Sequence, residues 1–409
     1  LTTAVKTEQS VKAQGSSARS GSTAADAARP PVLFVVTQSG ARANGGVESV
    51  TQIIERLRGV RPLVVTQAET PFNRRWRDAG ARVHVWPMSS PGVASLIKNN
   101  LRALRLVRAE GCRVVHCNDI HALYQTAFGA RAAGAAVVFN VRNVKPEGHR
   151  YGWRWRVARR VSARQLVLSK EMCEALARRL GIKESGAARS RLGHIYSAVD
   201  TEKFSPAGAA ERAALRERLG IGARDFAVGF VAAFEPRKAQ LDFIKEAAPR
   251  LKLSLPRARV FFVGDFAPGR DDYARQCLAA AEDSGLGETV SFAGYAPEMA
   301  QWYRALDLVV VASRNEGLAR CMIESLACGT PVVSFDVCSA REILEEGGCG
   351  VVVPAGDYER LVERITGLAG ERAARERLGS RGVAVARELF DPREVVSRYE
   401  RLYFSLAGD

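Results

Sequence analysis

The stretch Ser313-Arg-Asn-Glu-Gly-Leu-Ala-Arg-Cys-Met-Ile-Glu-Ser-Leu-Ala-Cys-Gly-Thr-Pro-Val-Val333 decides how this chain is read. Just before it, residues 308–311 form a continuous apolar run, the mark of a strand buried on both faces, and residues 313–317 make the turn that follows. A helix is expected from about Leu318 to Cys328. Gly329 suits a left-handed cap, Pro331 cannot continue a helix, and 331–335 reads as the next strand. Strand, loop, helix and strand together are the unit of a parallel sheet. The loop then lies at the sheet's carboxyl edge, with the open N–H groups of residues 317–320 facing outward. A helix start of this kind is an anion site suited to a diphosphate. Glu316 lies just before those donors and Glu324 about two turns later. Two carboxylates, which only accept hydrogen bonds, could hold hydroxyls on separate parts of one long ligand. Taken alone, the pair also admits a plain structural role, with Glu316 as a helix cap and Glu324 as a solvated helix residue.

Outward from this segment, apolar strand runs alternate with helical stretches along the whole chain. Strands are expected at 32–36, 63–66, 83–86, 114–117, 137–141, 166–168 and 194–196, then at 226–232, 260–263, 290–293, 308–311, 332–335 and 351–353. This alternation predicts an α/β protein of two Rossmann-like, doubly wound domains. With 409 residues and 47% hydrophobic content, the chain is long enough for two cores. The expected division is a disordered tail over 1–30, a first domain over 31–205, a second over 206–391, and a terminal helix over 392–409 that crosses back to the first. Pro206, Gly208 and small neighbours place the linker within 204–212.

The net charge of +16 is unevenly spread. Residues 31–205 carry 29 basic and 12 acidic side chains, whereas 206–409 carry 27 and 30. An excess confined to the first half points to an anionic surface or substrate there. Two stretches concentrate it. Lys98, Arg102 and Arg105 alternate with the apolar Ile97, Leu101 and Leu104, and Trp153, Arg154, Trp155 and Arg156 lie within a run of arginines from 142 to 164. A basic amphipathic helix with tryptophan is suited to anionic headgroups, although a solvated surface helix explains the same pattern. No apolar run approaches the roughly 18 residues that span a bilayer. Eight scattered cysteines without framework spacing are expected to be reduced. Cys112, His116, Cys117 and His121 alternate faces along a strand, so no metal site is expected of them. Nor does the chain show the recognition-helix or aromatic signatures of a nucleic-acid binder.

Within the first domain, Gly45 and Gly46 follow the first strand and would let backbone approach a ligand closely. Asp119 and His121 follow the fourth strand, and Arg142 and Asn143 follow the fifth, so both loops should open into a central cleft. In the second domain, Arg237 and Lys238 follow the strand at 226–232, and Asp265 follows the next, facing the cleft or capping a helix.

The ordered set of Asn44-Gly-Gly-Val47, Tyr196 to Phe204, Val263-Gly-Asp265, Gly294-Tyr295, the 313–333 stretch and Gly350 to Pro354 resembles the retaining, nucleotide-sugar-dependent glycosyltransferases of the GT-B fold, family 4, over residues 31 to about 405. The resemblance implies transfer of a hexosyl group from a nucleotide diphosphate sugar to a glycan, glycolipid or lipid-linked acceptor. It also implies no metal or other cofactor, and a leaving phosphate that itself takes the acceptor proton. On this view Glu316 meets the donor-sugar hydroxyls and Glu324 the ribose. The amides of Gly317, Leu318, Ala319 and Arg320, with Lys238, meet the diphosphate; Gly46 and Asp265 join the donor side, and Gly45, Asp119 and Asn143 face the acceptor. Two departures stand out. Ala233 occupies the place of a customary arginine, with Arg237 the nearest substitute, and Arg142 stands where relatives carry a histidine, so Arg142 or His121 takes that part. A chain so altered could instead be a binding or regulatory protein that has lost turnover. The implied setting is cell-surface polysaccharide or glycolipid synthesis, in the cytoplasm or on the cytoplasmic face of the membrane.

Overall fold

A computed structural model describes residues 29–38, 40, 45–88, 92–144, 151–265 and 271–408. The tail expected over 1–30 falls almost wholly outside the described residues, as does Asn44.

All thirteen expected strands are present, their ends moved by one or two residues. The first seven are β1 (Pro31–Val36), β2 (Arg61–Thr66), β3 (Arg82–Val85), β4 (Val114–Cys117), β5 (Ala136–Asn140), β6 (Arg164–Val167) and β7 (Leu192–His194). They form one parallel sheet in the order β3-β2-β1-β4-β5-β6-β7. The remaining six are β8 (Phe226–Val231), β9 (Ala258–Val263), β10 (Val290–Gly294), β11 (Leu308–Val311), β12 (Val332–Phe335) and β13 (Gly350–Val353). These form a second parallel sheet in the order β10-β9-β8-β11-β12-β13. In each sheet the strand order reverses next to its first strand, between β1 and β4 and between β8 and β11. Ligands of such sheets settle outside the carboxyl ends at this reversal.

The helices that bear on the site are, in chain order, α1 (Gly45–Arg56), α2 (Val93–Glu110), α3 (Ile120–Ala132), α4 (Trp153–Val161), α5 (Arg320–Ala327), α6 (Arg372–Phe390) and α7 (Pro392–Ala407). α5 starts two residues later than expected, with Ala319 as its N-cap, and ends as expected before Gly329, whose φ of 76° is left-handed. Behind that turn α6 packs backbone to backbone. A Cβ on Gly379 would stand 2.2 Å from the Gly329 carbonyl oxygen, so only glycine allows the approach.

The chain crosses between the sheets twice, near Val199 and near Phe390, and the two crossings are joined by the Val199 N–H donating to the Phe390 carbonyl at 2.9 Å. After the second crossing α7 lies against the first domain. Its Tyr399 and Tyr403 are buried there with Phe34 and Val50, and each such side chain contributes about 1.5–3 kcal/mol by leaving water. Other contacts clasp the domains directly. Glu342 accepts the N–H groups of Lys170 and Glu171, at 3.2 and 2.7 Å, at the open start of the helix Lys170–Leu180. Ser339, a buried residue held at φ 75°, donates to the Gly317 carbonyl (2.7 Å) and shares a 2.6 Å hydrogen bond with Ser169 Oγ. No helix among the described residues is long and apolar enough to cross a membrane.

His116, on β4, is fully buried and makes a 2.6 Å contact through Nδ1 with the Tyr403 hydroxyl while stacking on Phe34. Burial, with the Arg142 charge nearby, pushes its imidazole down to about 3. An unfolded histidine protonates near pH 6.5. Below that pH, and down to about 3, the unfolded chain therefore binds one proton more than the folded one. Stability is fully present above pH 6.5 and falls as the pH drops, by about 1.4 kcal/mol per pH unit from this side chain. Replacing His116 with Phe should cost about 1–3 kcal/mol at pH 7.5, because the Tyr403 hydroxyl loses its partner. In urea unfolding repeated at lower pH that deficit should shrink by about 1.4 kcal/mol per unit. A deficit that does not change with pH would rule out a neutral buried imidazole.

Candidate functional site

Between the carboxyl edges of the two sheets lies a cleft of about 1000 Å³, lined by both domains. Its second-domain wall is built by the loops after β8 and β11. A 3-10 turn, Pro236–Lys238, follows β8 and is closed by Ala239 in left-handed conformation, φ 60°. The Arg314 N–H donates to the Arg237 carbonyl at 2.8 Å, which ties the two loops together. Between them Glu316, only 6% exposed, accepts from Ser313 Oγ at 2.8 Å and from Lys238 Nζ, with Arg237 Nη1 3.6 Å from its other oxygen. A buried carboxylate beside two cations is a compensated charge, and its neighbours can be re-shared with an anionic ligand. Ala233 carries no charge into this wall, and Arg237 is the side chain that stands near Glu316 in its stead.

The late start of α5 alters the expected anion site. The open first turn falls at Arg320 and Cys321, which line the cleft together with Gly317 and Leu318. Ala319 is buried and its carbonyl accepts from Met322, so it serves as the cap. The Arg320 side chain does more than its amide. It pairs with Glu324 at 2.8 Å and reaches the first domain, with Nη1 3.3 Å from both Ser49 Oγ and the Ala198 carbonyl. The second Glu324 oxygen accepts from the Tyr303 hydroxyl at 3.1 Å. Burial raises that phenol well above its ordinary range, so it remains a donor. Cys321 also lines the cleft, but burial pushes its thiol up to about 12, which leaves it unreactive.

On the first-domain wall, Gly45, Gly46, Asp119, Arg142 and Asn143 line the cleft. Asp119 caps α3 by accepting from the Ala122 N–H at 2.8 Å, and its other oxygen accepts from Thr37 Oγ1 at 2.5 Å. Arg142 is turned toward its own domain. It donates to the Gly46 carbonyl (3.0 Å) and the Asn118 carbonyl (3.2 Å), and to Asn118 Oδ1, tying the loops after β1, β4 and β5 together. Burial draws its guanidinium below the usual arginine range.

Four expectations need correction. His121 does not reach the cleft. Asp119 fixes the start of α3 so that Ala122 and Leu123 turn into the core and His121 is left exposed. Asp265 is not among the described residues that line the cleft. It lies two residues past the end of β9, one strand away from the reversal, and its carbonyl accepts from the Phe234 N–H. Trp155 is not a docking residue, since it is buried against Phe139 and Tyr151 at ring distances of 5.7 and 4.6 Å. Ala319 caps α5 rather than facing the cleft, as described above.

The other members of the basic patches do face outward. Trp153 is 67% exposed, with Arg154 over its ring, and Lys98, Arg105 and Arg156 are exposed while Arg102 is half-buried. Beside them on α2, Val93, Ile97 and Leu101 are 71%, 57% and 48% exposed. Lys145 and Arg150 of the arginine run lie outside the described residues. Among the described residues, no three His, Cys, Asp or Glu side chains converge to hold a metal ion.

Residues 43–203 match the family described as Glycosyltransferase Family 4, and residues 225–371 match the one described as Glycosyl transferases group 1. The chain belongs to the group 1 glycosyltransferases of the GT-B type. The GDP-mannose-dependent alpha-(1-6)-phosphatidylinositol monomannoside mannosyltransferase of Mycolicibacterium smegmatis is 27% identical over 92% of this chain and 98% of its own length. A D-inositol 3-phosphate glycosyltransferase of Nocardia farcinica is 30% identical over 56% of this chain and 52% of its own length. This chain thus spans about half the length of that relative. The crystal structure of HepE from Anabaena in complex with UDP has a TM-score of 0.79 at 22% identity, covering 92% of this chain and 100% of that one. Sucrose-phosphate synthase from Thermosynechococcus elongatus has a TM-score of 0.74 at 20% identity, covering 92% and 99%. At such identities the likeness speaks for the fold.

The group 1 signature loop is pressed onto the first domain at Gly317, where a Cβ would stand 2.0 Å from the Arg142 carbonyl oxygen. Gly317→Ala should therefore destabilise the protein by about 1–3 kcal/mol, the usual cost of overpacking, read by urea unfolding. An unchanged unfolding free energy would mean that the two loops do not press on each other.

Proposed function

We propose that this chain is a retaining glycosyltransferase that moves a sugar from a nucleotide diphosphate sugar to a glycan or glycolipid acceptor. The observation that carries the reading is Glu316, buried in the cleft between Lys238, Arg237 and Ser313 just ahead of the α5 amino end. An incoming diphosphate would take over Lys238 and Arg237 and lie on the Arg320 and Cys321 amides, freeing Glu316 for the donor-sugar hydroxyls. Glu324, held by Arg320 and Tyr303, is assigned to the ribose. With these cations in place, neutralising the leaving diphosphate calls for no metal ion.

In the step itself, the acceptor oxygen forms a bond to the anomeric carbon as the bond from that carbon to the phosphate oxygen breaks, and the acceptor proton passes to the leaving phosphate. On this reading no carboxylate pair acts as nucleophile and acid, and catalysis rests on positioning and electrostatics. The mannosyltransferase named for GDP-mannose and the HepE complex with UDP both support a nucleotide sugar donor. A catalytically silent relative is the second reading, favoured by Ala233. The nearness of Arg237 to Glu316 weighs against it.

A panel of UDP-, GDP- and ADP-sugars should contain one that raises the melting temperature, since a ligand at a hundred times its Kd stabilises by about 2.7 kcal/mol. With that donor, Glu316→Ala should keep its fold and lose transfer by roughly 10²–10³-fold. Full transfer by the variant would sink the assignment, and no transfer by the parent chain with any donor would favour the silent reading.

The exposed basic and apolar faces of α2 and α4 are assigned to an anionic membrane surface, as befits a lipid-linked acceptor reached from the cytoplasmic side. Co-sedimentation with vesicles containing anionic lipid, absent with purely zwitterionic ones, is expected, and Ile97→Ser with Leu101→Ser should abolish it. Equal binding to both kinds of vesicle would remove this assignment.

A further inference from the structure

Among the described residues, the basic surplus of the first half does not enter the cleft uncompensated. Along the first-domain wall five cleft-lining side chains alternate in sign, in the order Asp200, Arg56, Glu55, Arg75, Glu48. Arg56 Nη2 lies 2.7 Å from Asp200, and its Nη1 lies 3.7 Å from Glu55. Arg75 is gripped on both sides. Its Nε and Nη2 donate to Glu55 at 2.7 and 3.1 Å, and its Nη1 and Nη2 donate to Glu48 at 3.0 and 3.2 Å. Each guanidinium is thus committed to two carboxylates, and the row carries three negative charges against two positive. Among the described residues, the other first-domain cations lining the cleft are also engaged. Lys203 lies 3.8 Å from Glu298, and Arg142 is turned to backbone and Asn118 oxygens.

A second, independent observation lies in the same wall. Gln52 lines the cleft at 4% exposure, and its Oε1 is buried with no hydrogen-bond partner. An orphaned acceptor of this kind is costly to leave unmatched, and a turn of the amide toward the cleft would let an O–H or N–H donor of a ligand match it. Phosphate has only acceptor oxygens to offer Gln52 once ionised, and it would lie against three carboxylates. A sugar hydroxyl can donate to Gln52 Oε1 or to a carboxylate and accept from an arginine N–H at once.

We infer that the wall formed by Glu48, Gln52, Glu55, Arg75, Arg56 and Asp200 receives the acceptor as an uncharged, hydroxyl-bearing sugar unit and discriminates against a phosphate monoester. The inference rests on the transferase reading above and adds the class of acceptor to it. On the first domain, anionic chemistry belongs to the outer basic face, and hydroxyl chemistry to this wall of the cleft. Burial alone would raise the Glu48 carboxyl, but its Arg75 bonds and the Arg320 charge hold it below the usual range, so this carboxylate stays ionised in neutral solution.

The test is titration of the full chain, saturated with the nucleoside diphosphate found by the donor screen, against neutral methyl glycosides, myo-inositol and D-myo-inositol 3-phosphate. At least one neutral glycoside should bind ten times more tightly than the inositol phosphate. Glu48→Gln with Glu55→Gln, which releases Arg75, should weaken the neutral ligand and tighten the phosphate by tenfold or more. Gln52→Leu, a smaller perturbation should the double variant fail to fold, should weaken the neutral glycoside about fivefold and leave nucleotide affinity unchanged. Preference of the parent chain for the phosphate, lost in Arg75→Met, would overturn the inference. So would binding of no neutral glycoside by a chain that still binds nucleotide, or unchanged affinities in the variants. Failure of every nucleoside diphosphate to bind would fall instead on the donor-site reading.

Discussion

The arrangement depends on one close approach, the Cα of Gly317 seated on the Arg142 carbonyl with no room for a side chain between them. Through this point the loop after β11 in one sheet touches the loop after β5 in the other, and the two reversals of strand order face a shared space. Ser339 holds the seat from behind by bonding the Gly317 carbonyl and Ser169 together. A non-glycine residue kept in left-handed backbone costs of order 1–3 kcal/mol, which the surrounding contacts offset. Glu316 and the open turn of α5 inherit their positions from this contact.

Charge in the molecule is sorted by place. The outer faces of α2 and α4 hold exposed arginines and lysines with apolar side chains between them, whereas the cleft walls set each described cation beside a carboxylate or a carbonyl oxygen. The same composition therefore supports two kinds of recognition, a screened long-range attraction outside and directional hydrogen bonding inside.

Much of this was legible in the sequence, for identifiable reasons. Parallel strands buried on both faces are apolar throughout, so β4, β11 and β12 could be marked almost to the residue, and Gly329 and Pro331 marked the end of α5. What depends on side-chain direction was less legible. His121 and Trp155 follow the right strands but lie on the wrong helix faces for the parts expected of them, one exposed and one in the core. The reach of Arg320 to Ser49 and Ala198, and the pairing of Arg56 with Asp200, join positions more than a hundred residues apart. Only the helical spacing of Glu48, Gln52 and Glu55 after the Gly45-Gly46 loop hinted at a polar wall there.

The second domain is inserted into the first, for the chain leaves near Val199, returns near Phe390, and then completes the first domain with α7. Because these two passages lie side by side and are bonded to each other at 2.9 Å, they form a single two-stranded pivot. Rotation about that pivot is a relative movement of the halves that leaves this bond in place. A few degrees of turn there would widen or narrow the mouth of the cleft while leaving both sheets undeformed.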